Sequence, residues 1–310
     1  MQPGYLKIGR DELLRRAGVA RERLRSCGIC PNDCGVDRLS GEIGVCGAGA
    51  NAKVASANLH NGEEPPISGT RGSGTIFFSH CTMGCVFCQN WPISHKGNGR
   101  EVDAAGLAKM MLDLQGRGAH NINFVTPTHY MPQILDALVL AVDGGFRLPI
   151  VYNTSGYETV PALRLLDGIV DIYLPDMRYS CDLNAKRYSK VKAMYSVVNR
   201  AAVREMFRQA GLLETDDTGI AVRGLIIRHL VLPGGVAGTD ETLKFIATEL
   251  SRYVPVSLMD QYFPTYKAGS FPEMDRKITQ DEYEQAAALL EKYGLHEGWV
   301  QEHVVNGYNK

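Results

Sequence analysis

From Arg71 to about Ala268 the chain alternates short apolar runs with amphipathic stretches of helical length, and this alternation limits the possible folds more than any other feature. Strands of a parallel sheet are buried on both faces and read as continuous apolar runs, and each needs a crossover of helix length to reach the next. The candidate strands are "GTIFFS", "NINFVT", "LPIVYN", "VDIYLP", "AVRGLIIRHLVL" and "VPVSLMD". Between them the helical candidates are Val102–Gly116, Pro132–Asp143, Thr159–Leu166, Asn184–Ala210 and Asp240–Tyr253. The expectation is an α/β fold of six β-α units on one parallel sheet. A chain of 310 residues has room for such a core and a small module beside it.

The flanks read differently. Arg10 to Ser26 predicts a basic amphipathic helix with Leu13, Leu14, Ala17 and Leu24 on its apolar side and its arginines on a solvated face. Cys27 to about Thr70 is rich in Gly, Asn, Pro and Cys, which predicts a loop-dominated module in need of a staple. Near the other end, Thr279 with Glu282 has capping-box spacing and opens a helix to Tyr293, expected to pack across an open side of the sheet. The expected division is a helix and Cys-rich metal-binding module over 1–70, the β-α core over 71–268 and a helical extension over 269–310.

Lys and Arg total 33 against 34 Asp and Glu, so no global charge directs the chain to nucleic acid or to an anionic membrane. The N-terminus has no apolar signal-like core, and the longest apolar stretch, "ILDALVLAV", is interrupted by Asp136. A cytoplasmic protein with no membrane partner is the expectation. Of the 8 cysteines, Cys181 stands alone, a buried or incidental thiol, while the others form two tight groups. Tight grouping in an enzyme-sized chain favours metal or cluster ligation over disulfides.

One group is "CTMGCVFC": Cys81, Cys85 and Cys88 directly after the first candidate strand, with Gly84 allowing the chain to fold back so that the sulfurs converge. Thiolate-rich sites suit zinc or iron–sulfur clusters. Structural zinc needs a fourth ligand, for which His80 or His95 is available, whereas a cubane held by three cysteines leaves one iron open.

This spacing, with Phe87 just before the last cysteine, resembles the signature of radical S-adenosylmethionine (SAM) enzymes. The resemblance continues through "CVFCQN" to the activating enzymes of glycyl-radical proteins, typified by pyruvate formate-lyase activating enzyme, and covers roughly Arg71 to Ala268. It implies a partial (β/α)6 barrel, a [4Fe-4S] cluster on Cys81, Cys85 and Cys88, and SAM chelated by the open iron. Reductive cleavage of SAM would then yield a 5′-deoxyadenosyl radical that takes a hydrogen from the substrate, an oxidoreductase activity. The implied partners are a flavodoxin- or ferredoxin-type reductant and a glycyl-radical protein. Such an acidic reductant could dock on His95, Lys96 and Arg100, which otherwise form a solvated basic loop.

The resemblance also assigns strand ends. Asn153 and Thr154 would face the SAM carboxylate, Asp176 and Arg178 match an Asp-x-Lys pattern, and Arg228 would enter the barrel while its neighbour His229 serves structure. Asn153 and the residues after it suit a plain turn equally well, and Asp176 a structural ion pair. Two departures stand out. Thr126, Thr128 and His129 occupy the place where the family carries Gly-Gly-Glu for the SAM amino group, and Asp260, Gln261 and Tyr262 replace a Leu-Pro-Tyr-His segment. Tyr130, Tyr157, Tyr179 and Tyr262 would build a substrate pocket if their loops face inward.

The other group, Cys27, Cys30, Cys34 and Cys46, has the four sulfurs of a closed site, either structural zinc or an auxiliary iron–sulfur cluster relaying electrons. Two further readings remain open: a radical SAM enzyme acting on a small molecule, a peptide or RNA, and a non-catalytic module whose cysteines hold zinc only.

Overall fold

A computed structural model describes residues 2–301, so Met1 and the end of the C-terminal segment, 302–310, lie outside the described residues. The chain opens with a short α1 (Gly4–Lys7) and α2 (Arg10–Glu22). α2 buries Leu13, Ala17 and Ala20, a stripe at helical spacing that continues to Leu24, and packs on α6 (Met131–Asp143). Leu14 lies off that stripe and is 41% exposed, so it does not share the buried side expected of it. Nor are all the arginines a free solvated face, since Arg10 and Arg21 reach Asp143 and Asp136 on α6 at 2.8 Å.

After the cysteine-rich loop the chain forms β1 (Ala52–His60), α3 (Pro65–Ser68) and β2 (Ser73–Phe78), with β1 antiparallel to β2. Next come α4 (Trp91–Ser94), β3 (Arg100–Val102) at the outer edge of β1, and α5 (Ala104–Gly116), whose first turn is capped by the Asp103 carboxylate on the Gly106 amide. α5 leads to β4 (Ile122–Val125), α6 to β5 (Ile150–Thr154), and the short α7 (Val160–Leu163) to β6 (Ile172–Pro175). α8 (Asp182–Tyr188) and α9 (Tyr195–Ala210) follow, then β7 (Glu214–Thr215), β8 (Ala221–Leu225) and β9 (Ile227–Leu230). α10 (Thr239–Phe245), β10 (Val256–Met259), α11 (Gln280–Tyr293) and β11 (Gly298–Val300) complete the described chain.

The strand order is β3-β1-β2-β4-β5-β6-β8-β7 in one sheet and β11-β10-β9 in a second. From β2 through β8 the pairings are parallel, as are β9 to β10 and β10 to β11. The long run "AVRGLIIRHLVL" is therefore two strands, not the single one expected: β8 pairs with β6, and after Ile226 the chain turns to pair with β10. A parallel bridge between Asp176 and Arg228 spans the seam. With that seam included, the six anticipated strands form one arc, and among the described residues no hydrogen bonding closes its ends into a full barrel. This is the α/β partial-barrel architecture. β11 adds one more parallel strand beyond β10, reached through α11.

Two expected helices are shorter than their periodicity suggests. Asn184–Ala210 is broken between Tyr188 and Tyr195, because the backbone there bonds elsewhere: the Val86 amide donates to the Tyr188 carbonyl at 2.9 Å and the Lys190 amide to the Met83 carbonyl at 2.6 Å. Asp240–Tyr253 is regular only from Thr239 to Phe245 and then loosens into a π turn over Ile246–Leu250. α11 carries the expected capping box between Thr279 and Glu282. It packs beside α10, and its Tyr283 hydroxyl donates to the Leu258 carbonyl of β10 at 3.0 Å.

Alternation along the strands separates two apolar layers. Ile122, Phe124, Ile150, Tyr152 and Tyr173 join the main core under the helices, while Val151, Ile172, Leu174, Ala221 and Ile226 form a second cluster on the other face with Ile67 of α3. The segment between β1 and β2 thus fills the concave side of the arc. Inward-facing Asn121 holds it through the Ile67 carbonyl at 2.8 Å, and Asn123 through Glu63 at 3.0 Å.

Candidate active site

Parallel β-α sheets bind ligands beyond the C-terminal ends of their strands. A cleft of about 690 Å³ opens there, with Cys81 and Cys88 on its wall from the loop after β2. Thr126 lines it after β4, Asn153 and Thr154 at the end of β5, Asp176 and Arg178 after β6, and Arg228 on β9. The residues assigned from separate strand ends, together with two of the three loop cysteines, share one cavity.

The cysteine loop is bent by Gly84 at φ 59°, where a Cβ would sit 3.3 Å from the Lys190 side chain. Tyr188 and Lys190 clamp it through their backbone, and Phe87 is buried edge-on between Tyr179 and Tyr262, ring centroids 6.4 and 5.7 Å away. Each sulfur has a polar neighbour. Cys81 Sγ accepts from the Met83 amide at 3.4 Å, and Cys88 Sγ lies 3.1 Å from Ser94 Oγ. Cys85 Sγ accepts from Arg178 Nη1 at 3.1 Å and from Ser189 Oγ at 3.0 Å. Burial pushes the Cys81 thiol up to about 12, with Cys85 adding to the shift, and burial likewise raises Cys88. The charge of Cys85 adds to the shift at both Cys81 and Cys88, so ionising these two beside it calls for a counter-charge at the site.

Asp176 and Arg178 form an ion pair. Burial opposes the arginine's charge, but Cys85 and Asp176 override it and hold Arg178 well above its ordinary range. Its Nε is buried with no hydrogen-bond partner. On β5, the turn after Thr154 depends on Gly156 at φ 67°, where a Cβ would come within 2.1 Å of Asn199 Nδ2 and 2.7 Å of the Asp176 carbonyl. Thr126 has φ 57°, a left-handed conformation strained for a β-branched residue and maintained at the cleft wall.

The donor set fits an iron–sulfur cluster with one open position: three thiols in one short loop, two of them on the cleft wall, N–H and O–H donors on their sulfurs, and an arginine with an unsatisfied N–H beside them. Among the described residues no three His, Cys, Asp or Glu groups are arranged to hold a single metal ion. In the N-terminal group the sulfurs are also electrostatic neighbours: burial raises Cys30 to about 12, with Cys46, Cys27 and Cys34 contributing, and burial raises Cys46 as well. All 8 cysteines are free thiols, with Cys181 partly buried.

No family model matches the chain. A curated protein of Methanocaldococcus jannaschii, "Uncharacterized protein MJ0674", is 33% identical over 287 residues, covering 89% of this chain and 78% of that protein. The chain belongs to the MJ0674 family. Solved structures similar to this MJ0674-family chain include TYW1 with a lysine-pyruvate adduct bound, at TM-score 0.40 and 12% identity over 70% of this chain and 73% of that one. Methylornithine synthase (PylB) follows at 0.43 and 11% over 71% and 62%, and HydG, a maturase of the [FeFe]-hydrogenase, at 0.49 and 11% over 94% and 63%. The MJ0674-family fold rests on its own strand order and register.

Several sequence candidates of this MJ0674-family protein lie away from the cleft. Thr128 is buried against Glu158 at 2.6 Å, and His129 bonds the Ser79 carbonyl at 2.8 Å, its imidazole pushed down to about 3 by burial. Tyr130, Tyr157, Tyr179 and Tyr262 are all buried, and none lines the cleft. Gln261 does line it, its carbonyl accepting from Gln89 at 2.7 Å. His229 is fully buried between the Met177 carbonyl and Thr239, and burial lowers it to about 4. His95 bonds the Cys85 carbonyl at 2.9 Å, Lys96 covers the Trp91 ring, and Arg100 begins β3. His80 packs on Gly47, beside Cys46.

Arg228 reaches the cleft but is also tied down: it pairs with Glu64 at 2.6 Å and with Glu63. Burial would raise the Glu64 carboxyl, yet Arg228 holds it below the usual range. Sequence reasoning missed Glu63 and Glu64, although "NGEEPP" sets two acids before two prolines between strands. It also missed Ser189 and the buried Glu158, which accepts from Thr128 and Thr154 and is raised to about 7 by burial.

Proposed function

We propose that this protein is a radical SAM enzyme in which Cys81, Cys85 and Cys88 hold a [4Fe-4S] cluster and the cleft above holds SAM. The observation that carries the reading is the cleft itself: the three-cysteine loop after the first parallel strand opens into the same cavity as Thr126, Asn153, Thr154 and Asp176. When bound, the cluster and SAM supply one-electron cleavage of the sulfonium and hydrogen abstraction from a substrate. The chain's part is positional. Asn153 offers a side-chain donor for a carboxylate, Thr154, whose hydroxyl donates to Glu158, shapes the wall beside it, Thr126 replaces the missing Gly-Gly-Glu contact, and Asp176 with Arg178 forms the wall between the cluster loop and the rest of the cleft.

The finer reading is an activating enzyme of pyruvate formate-lyase type whose substrate is a glycine of a partner protein. It draws on "CVFCQN" and on the exposed Phe263, Tyr266 and Met194 in the segments beside the loop. A low-potential acidic donor of flavodoxin or ferredoxin type would meet the face behind that loop, where Lys190 lies over Gly84, Lys96 over Trp91 and Lys267 over Tyr266. A small polar substrate is the second reading, favoured by Glu63, Glu64 and Arg228 on the cleft wall. The N-terminal cysteines, which are not arranged around a single ion in the described structure, would have to draw together to hold zinc or a second cluster.

The test is anaerobic reconstitution of the full chain, dithionite reduction and measurement of 5′-deoxyadenosine and methionine. Formation of both from SAM supports the reading, and intact SAM beside a reduced cluster refutes it. Deuterium transfer from glycine-labelled partner protein into 5′-deoxyadenosine selects the activating-enzyme reading.

A further inference from the structure

Among the loop sulfurs, Cys85 alone takes hydrogen bonds from distant parts of the described chain: Arg178 Nη1 at 3.1 Å and Ser189 Oγ at 3.0 Å. The Ser189 hydroxyl lies 3.0 Å from the Tyr179 hydroxyl, so while Ser189 donates to the sulfur it accepts from Tyr179. Arg178 turns its other terminal nitrogen to Asp176, which lines the cleft.

We propose that Arg178 and Ser189 set the reduction potential of the cluster held by this loop, and that Asp176 sets how much of the arginine's charge Cys85 feels. The proposal rests on the functional reading above. Its physics is that donors and positive charge on a ligand sulfur withdraw electron density and stabilise the reduced cluster, most strongly where the dielectric is low. A cation acts more than a neutral hydroxyl at similar distance. The step concerned is one electron entering the oxidised cluster from an external one-electron donor, dithionite in the test, with no bond broken and no proton taken up. Arg178, Ser189 and Asp176 are positioning residues here, acting through Cys85. Asp176 also couples the two halves of the site, since a charge placed beside it in the cleft alters the field that Arg178 delivers to the sulfur.

The experiment is a redox titration of the anaerobically reconstituted full chain, followed by the electron paramagnetic resonance signal of the reduced cluster. Arg178→Gln should make reduction about tenfold or more less favourable, a fall of about 59 mV or more for one electron. Ser189→Ala should lower the potential by less, and Asp176→Asn should raise it. An assembled cluster with the same potential in Arg178→Gln as in the parent, or shifts of opposite sign, overturns the proposal. Lower cluster content at an unchanged potential overturns it too, since that is what a merely structural role produces. Should Arg178→Gln not fold, the Ser189→Ala shift decides. Failure of the parent chain to assemble any cubane overturns the functional reading itself, whereas a cubane with unmoved potentials overturns only this inference.

Discussion

The two cysteine groups are neighbours in space and opposites in setting. Asn32, between Cys30 and Cys34, donates its side-chain amide to the Thr82 carbonyl in the other loop at 2.8 Å, and Gly47 packs on His80. Yet Cys27 and Cys30 are buried and none of the N-terminal four lines the cleft, whereas Cys81 and Cys88 face it. The N-terminal loop is short of apolar periodicity and is pinned by Arg38, which donates to the Gly49 and His129 carbonyls. The other loop hangs from a strand and is held by backbone from α8 and the Tyr179 ring. The contrast teaches that two cysteine groups of similar composition can differ in access, according to whether the surrounding chain closes over them.

Cys85→Ala should have the largest effect on this division. The variant loses SAM cleavage and the iron of the loop cluster while the N-terminal group keeps its metal, as read by metal analysis of the purified chain. Loss of both metals together would break the comparison. Cys30→Ala should do the reverse: the N-terminal metal goes, thermal unfolding shifts downward by about 2 kcal/mol or more, and the loop cluster still forms.

The contact between the groups can be sharpened with Asn32→Ala, which strips the Thr82 carbonyl of its buried partner. The expected loss is about 1–3 kcal/mol in denaturant unfolding with both metal contents intact. A neutral result would mean the module is held elsewhere.

The effect confined to pH concerns Glu158, whose neighbour Thr159 bonds the Ile29 carbonyl of the N-terminal loop at 3.2 Å while its own carboxyl takes Thr154 at the cleft. Burial raises its carboxyl from 4.5 to about 7, so the folded state holds the proton more tightly than the unfolded state. Its contribution is complete below the unfolded value and is lost as pH rises through the folded one. The parent should therefore lose more stability between about pH 5 and pH 8 than Glu158→Gln does, by calorimetry. Equal slopes would remove Glu158 from the account.

The parallel strands were legible because burial on both faces leaves uninterrupted apolar runs such as "NINFV" and "LPIVYN". The three-cysteine loop was legible because its cysteines lie within one short segment. What escaped depends on contacts distant in sequence. The helix expected over Asn184–Ala210 breaks because residues 188–190 bond the cysteine loop, and Ser189 meets Cys85 across 104 positions. Glu64 finds Arg228 across 164 positions, so nothing local marks it as part of the cleft. His129 has a metal ligand's chemistry but a core residue's surroundings, and only burial tells these apart.

The central claim is an iron left free by the three sulfurs for SAM to occupy. Electron–nuclear double resonance on the reduced cluster of the full chain, with SAM labelled at its amino nitrogen, tests it most directly. The account predicts a coupling between that nitrogen and the cluster, lost in Cys85→Ala. A fourth protein side chain on the iron, with no coupling to labelled SAM, would contradict it.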